Sequence, residues 1–314
     1  MIERTAMYPR VCVVGSANID LTFRTVRLPK PGETLIGQAF HLGFGGKGAN
    51  QAVMAARLGA QVSMVARVGS DVFGEQTVQN YRQYGIDTAH VLRDAERPTG
   101  VASIVVEDSA QNCILIVAGA NAGLSPADVR AARGVIESAG VLLCQLEVPI
   151  ESTLEAFRIA RAAGVRTILN PAPAVALPDE LLRLTDLCVP NETEAELLTG
   201  QRVETPDEVE SAARVLLQRG PRAVLVTLGP RGVLLVEEGT VEHIPSVRVP
   251  AVDASGAGDA FIGSLAVFLV EGRTLRDAAR WANTAAALSV TRRGTQASFP
   301  TRTEVEDLFG KPGA

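Results

Sequence analysis

Val11-Cys-Val-Val14 is a short apolar run that stops at Gly15, with Ser16-Ala17-Asn18 behind it. Four apolar residues bounded by a glycine have the length and character of a strand buried on both faces. The same kind of run returns at 61–67, 141–144, 166–169 and 223–227. Between these runs, apolar residues recur at helical spacing over 49–58, 126–137, 150–163 and 205–219. Ser125-Pro126 and Thr205-Pro206 each set a capping residue before a proline at the first helical position. Strand, helix and strand at this spacing predict an α/β fold with a parallel sheet covered by helices. The tail reads as helical over 257–270, 275–290 and a short piece at 303–309.

Two segments break the alternation. Residues 21–41 and 99–117 hold β-type residues with no helix between them. In Val101-Ala-Ser-Ile-Val-Val106 and Cys113-Ile-Leu-Ile-Val117, apolar residues fall on both faces of an extended chain. A hairpin of that kind has something to cover on each side. The expectation is one domain over 1–314 with a small β lid built from about 21–42 and 99–118. One lid face lies over the active site, and the other meets a second copy in a homodimer.

The composition narrows the function classes. Of 314 residues, 46% are hydrophobic and 21% charged, an ordinary globular balance. A formal charge of −5 argues against nucleic acid as a partner, because counterion release requires a basic face. Cys12, Cys113, Cys144 and Cys188 form no C-x-x-C pair, and the only histidines are His41, His90 and His243. The cysteines read as buried free thiols in a reducing compartment, with no disulfide framework and no zinc site. Met1 to Arg10 carries charges and lacks the apolar centre of a signal peptide. The longest apolar stretch, 261–270, is about half a membrane span. A soluble, cytoplasmic protein with no membrane partner is expected. Only Lys30, Lys47 and Lys311 are lysines, so a lysine inside a motif stands out.

Four constellations carry chemistry. Gly43-Phe-Gly-Gly-Lys-Gly-Ala-Asn50-Gln satisfies G-x-G-x-x-G, but it does not follow the first strand as a dinucleotide loop does. It lacks the Ser or Thr that a P-loop places after its lysine. What remains is a glycine turn, Gly46 included, that opens a helix with Lys47 and Asn50 on one face. Backbone donors, an ammonium and a carboxamide there suit a polyhydroxylated ligand. Asn18 and Asp20 lie just past the first strand, two residues apart and so on one side, where α/β sheets hold ligands. Asp253-Ala-Ser-Gly-Ala-Gly-Asp259 runs small residues into a helix, and such an N-terminus suits a phosphate. Asp259, in the first turn, is placed to accept a proton from an attacking hydroxyl. Pro190-Asn-Glu-Thr-Glu194 opens a further helix, with Glu194 able to help hold hydrated Mg2+ and Asn191 able to act as an N-cap. Thr227-Leu-Gly-Pro-Arg-Gly232 is a turn between two strands that reads as a hairpin or as part of a nucleotide cradle. Glu147 follows another strand on the same rim.

Taken in this order, the motifs closely resemble the PfkB family of carbohydrate kinases over roughly 11–300. The stretches Gly45-Gly-Lys-Gly-Ala-Asn-Gln-Ala52, Asn170-Pro-Ala-Pro173, Pro190-Asn-Glu-Thr-Glu-Ala195 and Val290-Thr-Arg-Arg-Gly294 carry the likeness. The resemblance implies a doubly wound, mainly parallel central sheet with a small β-sheet lid, often dimeric. It implies transfer of the ATP γ-phosphoryl group to the 5-hydroxyl of D-ribose. By that likeness Asn18, Asp20, Gly46, Lys47, Asn50 and Glu147 match the sugar site, and Asp259 matches the catalytic base. Gly256, Ala257 and Gly258 match the anion hole. Asn191, Thr227, Leu228, Gly229, Pro230, Arg231, Gly232, Gly258 and Asn283 match nucleotide positions, and Glu194 matches the Mg2+-linked acid. Asp253, Ser255, Ser289, Arg292, Gly294 and Ser298 match the site of an activating K+, several of them through backbone carbonyls. The chain departs from the family pattern at Ala254, where a threonine is usual.

Other readings stay open. The sugar could be deoxyribose, fructose, 2-keto-3-deoxygluconate or a nucleoside, although aromatics at 4% leave little to stack on a base. A dinucleotide-dependent dehydrogenase would have to bind NAD through the 43–48 loop. A sugar-binding regulator without catalysis would leave ATP untouched.

Overall fold

The structure is a computed structural model that describes residues 9–109 and 111–310. Lys311 and the first eight residues of the stretch read for a signal peptide lie outside them.

Strand β1 (Arg10–Val14) alternates its side chains between two cores. Val11 and Val13 face one, while Cys12 and Val14 face the other, so the continuous apolar run is a strand covered on both sides. The chain then leaves the main sheet for β2 (Asn18–Thr25) and β3 (Ala39–Gly45), and returns through α1 (Lys47–Arg57) to β4 (Gln61–Gly69). Helix α2 (Val72–Gln83) and β5 (Asp87–Asp94) complete that side of the sheet. A second excursion forms β6 (Gly100–Glu107) and β7 (Asn112–Val117), followed by α3 (Pro126–Ala131) and α4 (Arg133–Glu137). The single helix expected over 126–137 is thus two, with its turn at Ala132.

The rest winds out on the other side of β1: β8 (Val141–Cys144), α5 (Ile150–Ala162), β9 (Arg166–Leu169), α6 (Asp179–Arg183), β10 (Leu187–Cys188), α7 (Glu192–Thr199), α8 (Pro206–Gln218) and β11 (Ala223–Thr227). Strands β12 (Val233–Glu237) and β13 (Thr240–Ile244) close the edge, before α9 (Ala257–Val270), α10 (Leu275–Ser289) and α11 (Arg302–Phe309). Capping boxes start α3 at Ser125 and Asp128 and α8 at Thr205 and Glu208, each ahead of a proline.

The large sheet has the order β13-β12-β11-β10-β9-β8-β1-β4-β5. From β11 to β5 every pairing is parallel. Strand β1 is flanked by β4 and β8, so the winding reverses between β1 and β8, and a crevice opens at their carboxyl ends. Helix α9 lies in the larger core with Asp259 to Leu269 all buried. Each of its fully buried Leu, Ile and Phe side chains contributes roughly 1.5–3 kcal/mol.

The small sheet has the order β3-β2-β6-β7, with β2 and β6 parallel. Its first pair of strands begins earlier and ends later than the expected 21–42, since β2 starts at Asn18 and β3 runs to Gly45, while β6 and β7 fall within the expected 99–118. Register places Asp20, Gly43, Ala102 and Ile116 on one face. The other face carries Phe23, Phe40 and Leu115, all exposed, with the two phenylalanine rings 5.2 Å apart. Strands β6 and β7 thus carry apolar side chains on both faces, those of β7 exposed, while β2 and β3 add Asp20, Thr22 and His41 to the first face. Cys12, Cys144 and Cys188 are buried free thiols, but Cys113 is exposed, which corrects the expectation of four buried thiols. It lies on β7, an edge strand every residue of which is exposed. No helix of the described residues is long and apolar enough to cross a membrane.

Candidate active site

The residues of the crevice come from the carboxyl ends of the parallel strands and from the roots of the small sheet. Gly46 sits at φ +88°, a left-handed conformation that a side chain would strain, and turns β3 into α1. Gly45 leaves room for Asp20, because a Cβ there would lie 2.2 Å from Asp20 Oδ1. Helix α1 has no side-chain cap of its own. Its first N–H, at Lys47, donates instead to Glu147 Oε2 at 3.0 Å, and Ser16 Oγ donates to the same oxygen at 2.5 Å. Asn18 Oδ1 accepts from Asn121 Nδ2 at 2.7 Å, which aims the Asn18 amide.

Asp259, at the start of α9, is buried. Its Oδ2 accepts from Asn50 Nδ2 at 2.9 Å and its Oδ1 from Gln51 Nε2 at 3.0 Å. Burial raises its pKa above the usual carboxylate value, opposed by Lys47 and by the Asn50 and Gln51 hydrogen bonds, and assisted by Glu147. Asp20 is pushed up to about 6, by burial first and then by the Glu147 and Asp259 charges. Glu194 is likewise raised by burial, against the Asn191 backbone hydrogen bond and Lys47. Burial pulls the Lys47 ammonium down, but the Asp259, Glu147 and Glu194 carboxylates more than reverse that and hold it above the usual lysine value. Three carboxylates around one ammonium, with Asp20 beside two of them, make a site rich in acceptors for hydroxyl donors. One of those acceptors, Asp259, is kept basic by burial.

At the start of α9, Gly256 is left-handed, and Ala257 N–H donates to Ala254 O at 3.2 Å. Among the described residues the N–H groups of Gly256 and Gly258 have no protein acceptor, so two of the three expected donors stand open and Ala257 is engaged in the turn. Asp253 ties this loop to the one after α10: its carboxylate accepts from Ser255 N and Gly294 N, both at 2.9 Å. Ser289 Oγ and Ser298 Oγ donate to the carbonyls of Ala286 and Thr295. The Arg292 guanidinium pairs with Glu304 and so is directed away from the loop.

Asn191 is an N-cap: its Oδ1 accepts from Glu194 N, and Glu194 Oε2 accepts from Asn191 N. This engages one oxygen of Glu194 and leaves the other. Residues 190–194 and 227–232 are neighbours, joined by a bridge between Asn191 and Thr227. The turn Thr227, Leu228, Gly229, Pro230, Arg231, Gly232 is closed by Leu228 N–H on Gly232 O, and Arg231 pairs with Glu192. Asn283 donates to the carbonyls of Ile244 and Pro245, both at 3.2 Å, holding the segment after β13. The structure thus brings Asn18, Asp20, Lys47, Asn50, Glu147, Glu194 and Asp259 together, with the 191 and 227–232 segments beside them. Among the residues expected to meet nucleotide, the Asn191, Arg231 and Asn283 side chains already have protein partners.

Gln51 escaped notice in the sequence. The signal was present, since a second amide directly after Asn50, in an otherwise small and apolar stretch 49–56, has no apolar packing role.

The model of the pfkB family of carbohydrate kinases matches residues 9–302. The chain belongs to that family. It is 45% identical to a ribokinase of Mus musculus, over 92% of this chain and 91% of that one. It is 43% identical to a deoxyribokinase of Salmonella typhi, over 92% of this chain and 95% of that one. The solved structure of an Arabidopsis thaliana ribokinase, complexed with ribose and ATP, superposes with a TM-score of 0.91 at 34% identity, covering 98% of this chain and 100% of that one.

Proposed function

We propose that this chain is an ATP-dependent kinase of D-ribose that phosphorylates the 5-hydroxyl, with Asp259 as general base. One observation carries this reading. Asp259 stands buried between two amide donors, three residues from the left-handed Gly256 whose N–H and that of Gly258 are open to an anion. A proton acceptor and an anion pocket on the same helix turn are what in-line phosphoryl transfer to an alcohol requires.

The sugar hydroxyls are held by Asn18, Asp20, Lys47, Asn50 and Glu147, with Gly46 giving backbone access. Asp259 takes the proton of the attacking hydroxyl. Gly256 and Gly258 donate to the transferring group, and Ala257 shapes the turn that presents them. The adenine nucleotide lies along Asn191 and the 227–232 turn. Here Arg231 and Asn283 act by shaping the rim, since their side chains are held by Glu192 and by the Ile244 and Pro245 carbonyls. The small sheet closes as a lid over the sugar and excludes water, which limits ATP hydrolysis. The chain works as one kinase domain in the cytoplasm, as a homodimer joined through the outer face of the lid. It uses no nucleic acid or membrane.

The residues present fit the expected ions. Among the described residues no three His, Cys, Asp or Glu side chains gather as a metal cage. That suits Mg2+ carried on nucleotide phosphates, with the free oxygen of Glu194 reaching its water shell. Bound Mg2+ supplies positive charge against the phosphates. A monovalent cation would be held by carbonyls of Ser255, Ser289, Arg292, Gly294 and Ser298 beside Asp253. There it would fix the shape of the loop that leads into the anion pocket.

A coupled assay with ATP, Mg2+, K+ and a panel of D-ribose, 2-deoxyribose and fructose tests the reading. The expected result is the highest kcat/KM for ribose. A clear preference for deoxyribose would move the chain to the activity of its Salmonella relative, and no phosphorylation of any of them would overturn the proposal.

A further inference from the structure

Behind the Asp259 carboxylate lie two chains of side-chain amides. In the first, Gln145 Nε2 donates to Gln51 Oε1 at 2.6 Å, and Gln51 Nε2 donates to Asp259 Oδ1 at 3.0 Å. Asn170 Oδ1 shares the Gln51 donor at 3.2 Å. In the second, Asn80 Nδ2 donates to Gln296 Oε1 at 2.9 Å, Gln296 Nε2 to Asn50 Oδ1 at 3.0 Å, and Asn50 Nδ2 to Asp259 Oδ2 at 2.9 Å. All five amides are buried. Apart from the side branch to Asn170, every link runs in one sense, with N–H toward Asp259 and the carbonyl away from it.

Only about a tenth of protein hydrogen bonds join two side chains. Asn283, by contrast, spends its side-chain amide on backbone, the carbonyls of Ile244 and Pro245. Five side-chain links in series, all converging on one carboxylate, serve that carboxylate. Aligned amide dipoles polarise one another, so each terminal N–H is a stronger donor than an isolated one. A lysine or arginine in their place would pair with Asp259 and lower its basicity by about 1–3 pKa units. Neutral amides orient the group and stabilise its charge while leaving it able to take a proton.

We infer that Gln51 and Gln296 are positioning residues for the phosphoryl-transfer base, each ending or feeding an amide chain that fixes the direction and charge of Asp259. Gln296 does so through Asn50, without touching the base. The inference rests on the reading of Asp259 as that base. It also links the turn at 296–298, which follows Gly294, to the centre of the reaction. Other charged groups face Asp259: Lys47 from α1, Glu147 from the connection after β8, Asp20 from β2 and Glu194 from α7. None belongs to either amide chain.

The test uses the full-length protein without ligands. Side-chain amide resonances of Asn50, Gln51 and Gln296 are followed by NMR from pH 4 to pH 9, in the wild type and in Asp259→Asn. The expected result is that all three move with one shared midpoint in the wild type and that this transition vanishes in Asp259→Asn. A Gln296 signal that ignores the Asp259 transition overturns the inference. Gln296→Met then gives the kinetic readout. Expected are a fall in kcat of about tenfold, the loss of one charge-directed hydrogen bond, and an acidic limb of the kcat profile moved to higher pH. KM for both substrates stays within about twofold on that scale. An unchanged kcat and limb in a folded Gln296→Met also overturns it. The NMR arm needs no turnover, so a wild type that fails to phosphorylate sugar would remove the proposed function while the amide titration stays readable.

Discussion

The Glu147 carboxylate accepts the first backbone N–H of α1, that of Lys47, at 3.0 Å, and so caps a helix from a hundred residues away. Gly46 cannot cap it, having no side chain. Glu147 therefore seals α1 in addition to its proposed place at the sugar, and Glu147→Ala loses both. Expected is a stability loss of about 0.5–2 kcal/mol, the scale of a removed N-cap, together with a larger rise in KM for sugar than for ATP. Glu147→Gln keeps an acceptor and recovers most of the stability. Urea unfolding and steady-state kinetics on both variants check this; equal stability of all three proteins would refute the cap.

Asp259→Asn is expected to lower kcat by about 10² or more, with ATP still bound. An asparagine must also turn its own NH2 toward Asn50 or Gln51, both donors, so its amide cannot satisfy both neighbours. Turnover near that of the wild type, with nucleotide affinity measured by calorimetry, would exclude Asp259 as the base.

Asp20 gives a pH signature. Its folded pKa of about 6 lies above the unfolded value near 3.9. Between those values the native chain holds a proton that the unfolded chain has released. Stability therefore falls as pH rises through that window, and above it the ionised Asp20 is a net cost. Asp20→Asn is expected to match the wild type near pH 4 and to exceed it at pH 7 by up to about 3 kcal/mol, two units at 1.36 each. It is also expected to weaken sugar binding far more than ATP binding. Parallel stability curves for the two proteins would contradict the shift, and equal losses for both ligands would displace Asp20 from the sugar.

Replacing K+ by Na+ is expected to lower kcat at saturating substrates, because the loop clamped by Asp253 to Ser255 and Gly294 leads directly into the anion pocket. Ala254 supplies no hydroxyl there, so the loop depends on Asp253 and carbonyls. Rates indifferent to the swap would remove the cation site.

Phe40→Glu tests the outer face of the small sheet. Phe23, Phe40 and Leu115 are exposed there on one side of the register. Sedimentation at micromolar concentration is expected to give a dimer for the wild type and a monomer for the variant. A monomeric wild type would discard the homodimer.

Much of this was legible in the sequence. β8, β9 and β11 match their apolar runs to the residue, because a strand covered on both faces needs uninterrupted apolar side chains. α2 and β5 were not legible. The buried face of α2 is Gly74, Thr77, Val78, Asn80 and Tyr81, too polar to show a helical period. β5 is an edge strand with only Val91 and Asp94 buried. The carboxylates proposed to face the sugar announced themselves by charge and position. Gln51, Gln296, Asn80 and Gln145 did not, because a neutral amide carries no motif and its task depends on which distant residue it meets. The open N–H groups of α9 were legible from small residues before a helix, but the engagement of Ala257 depended on a turn back to Ala254.

Strand β2 begins four residues after β1 ends and carries Asn18 and Asp20 in its first three positions, while its far end belongs wholly to the small sheet. The strand is in effect a lever whose short arm carries the two proposed sugar-binding side chains and whose long arm is part of the small sheet. On the proposed function, a sugar held by both side chains would pull directly on the cover, coupling its arrival to closure in one stroke.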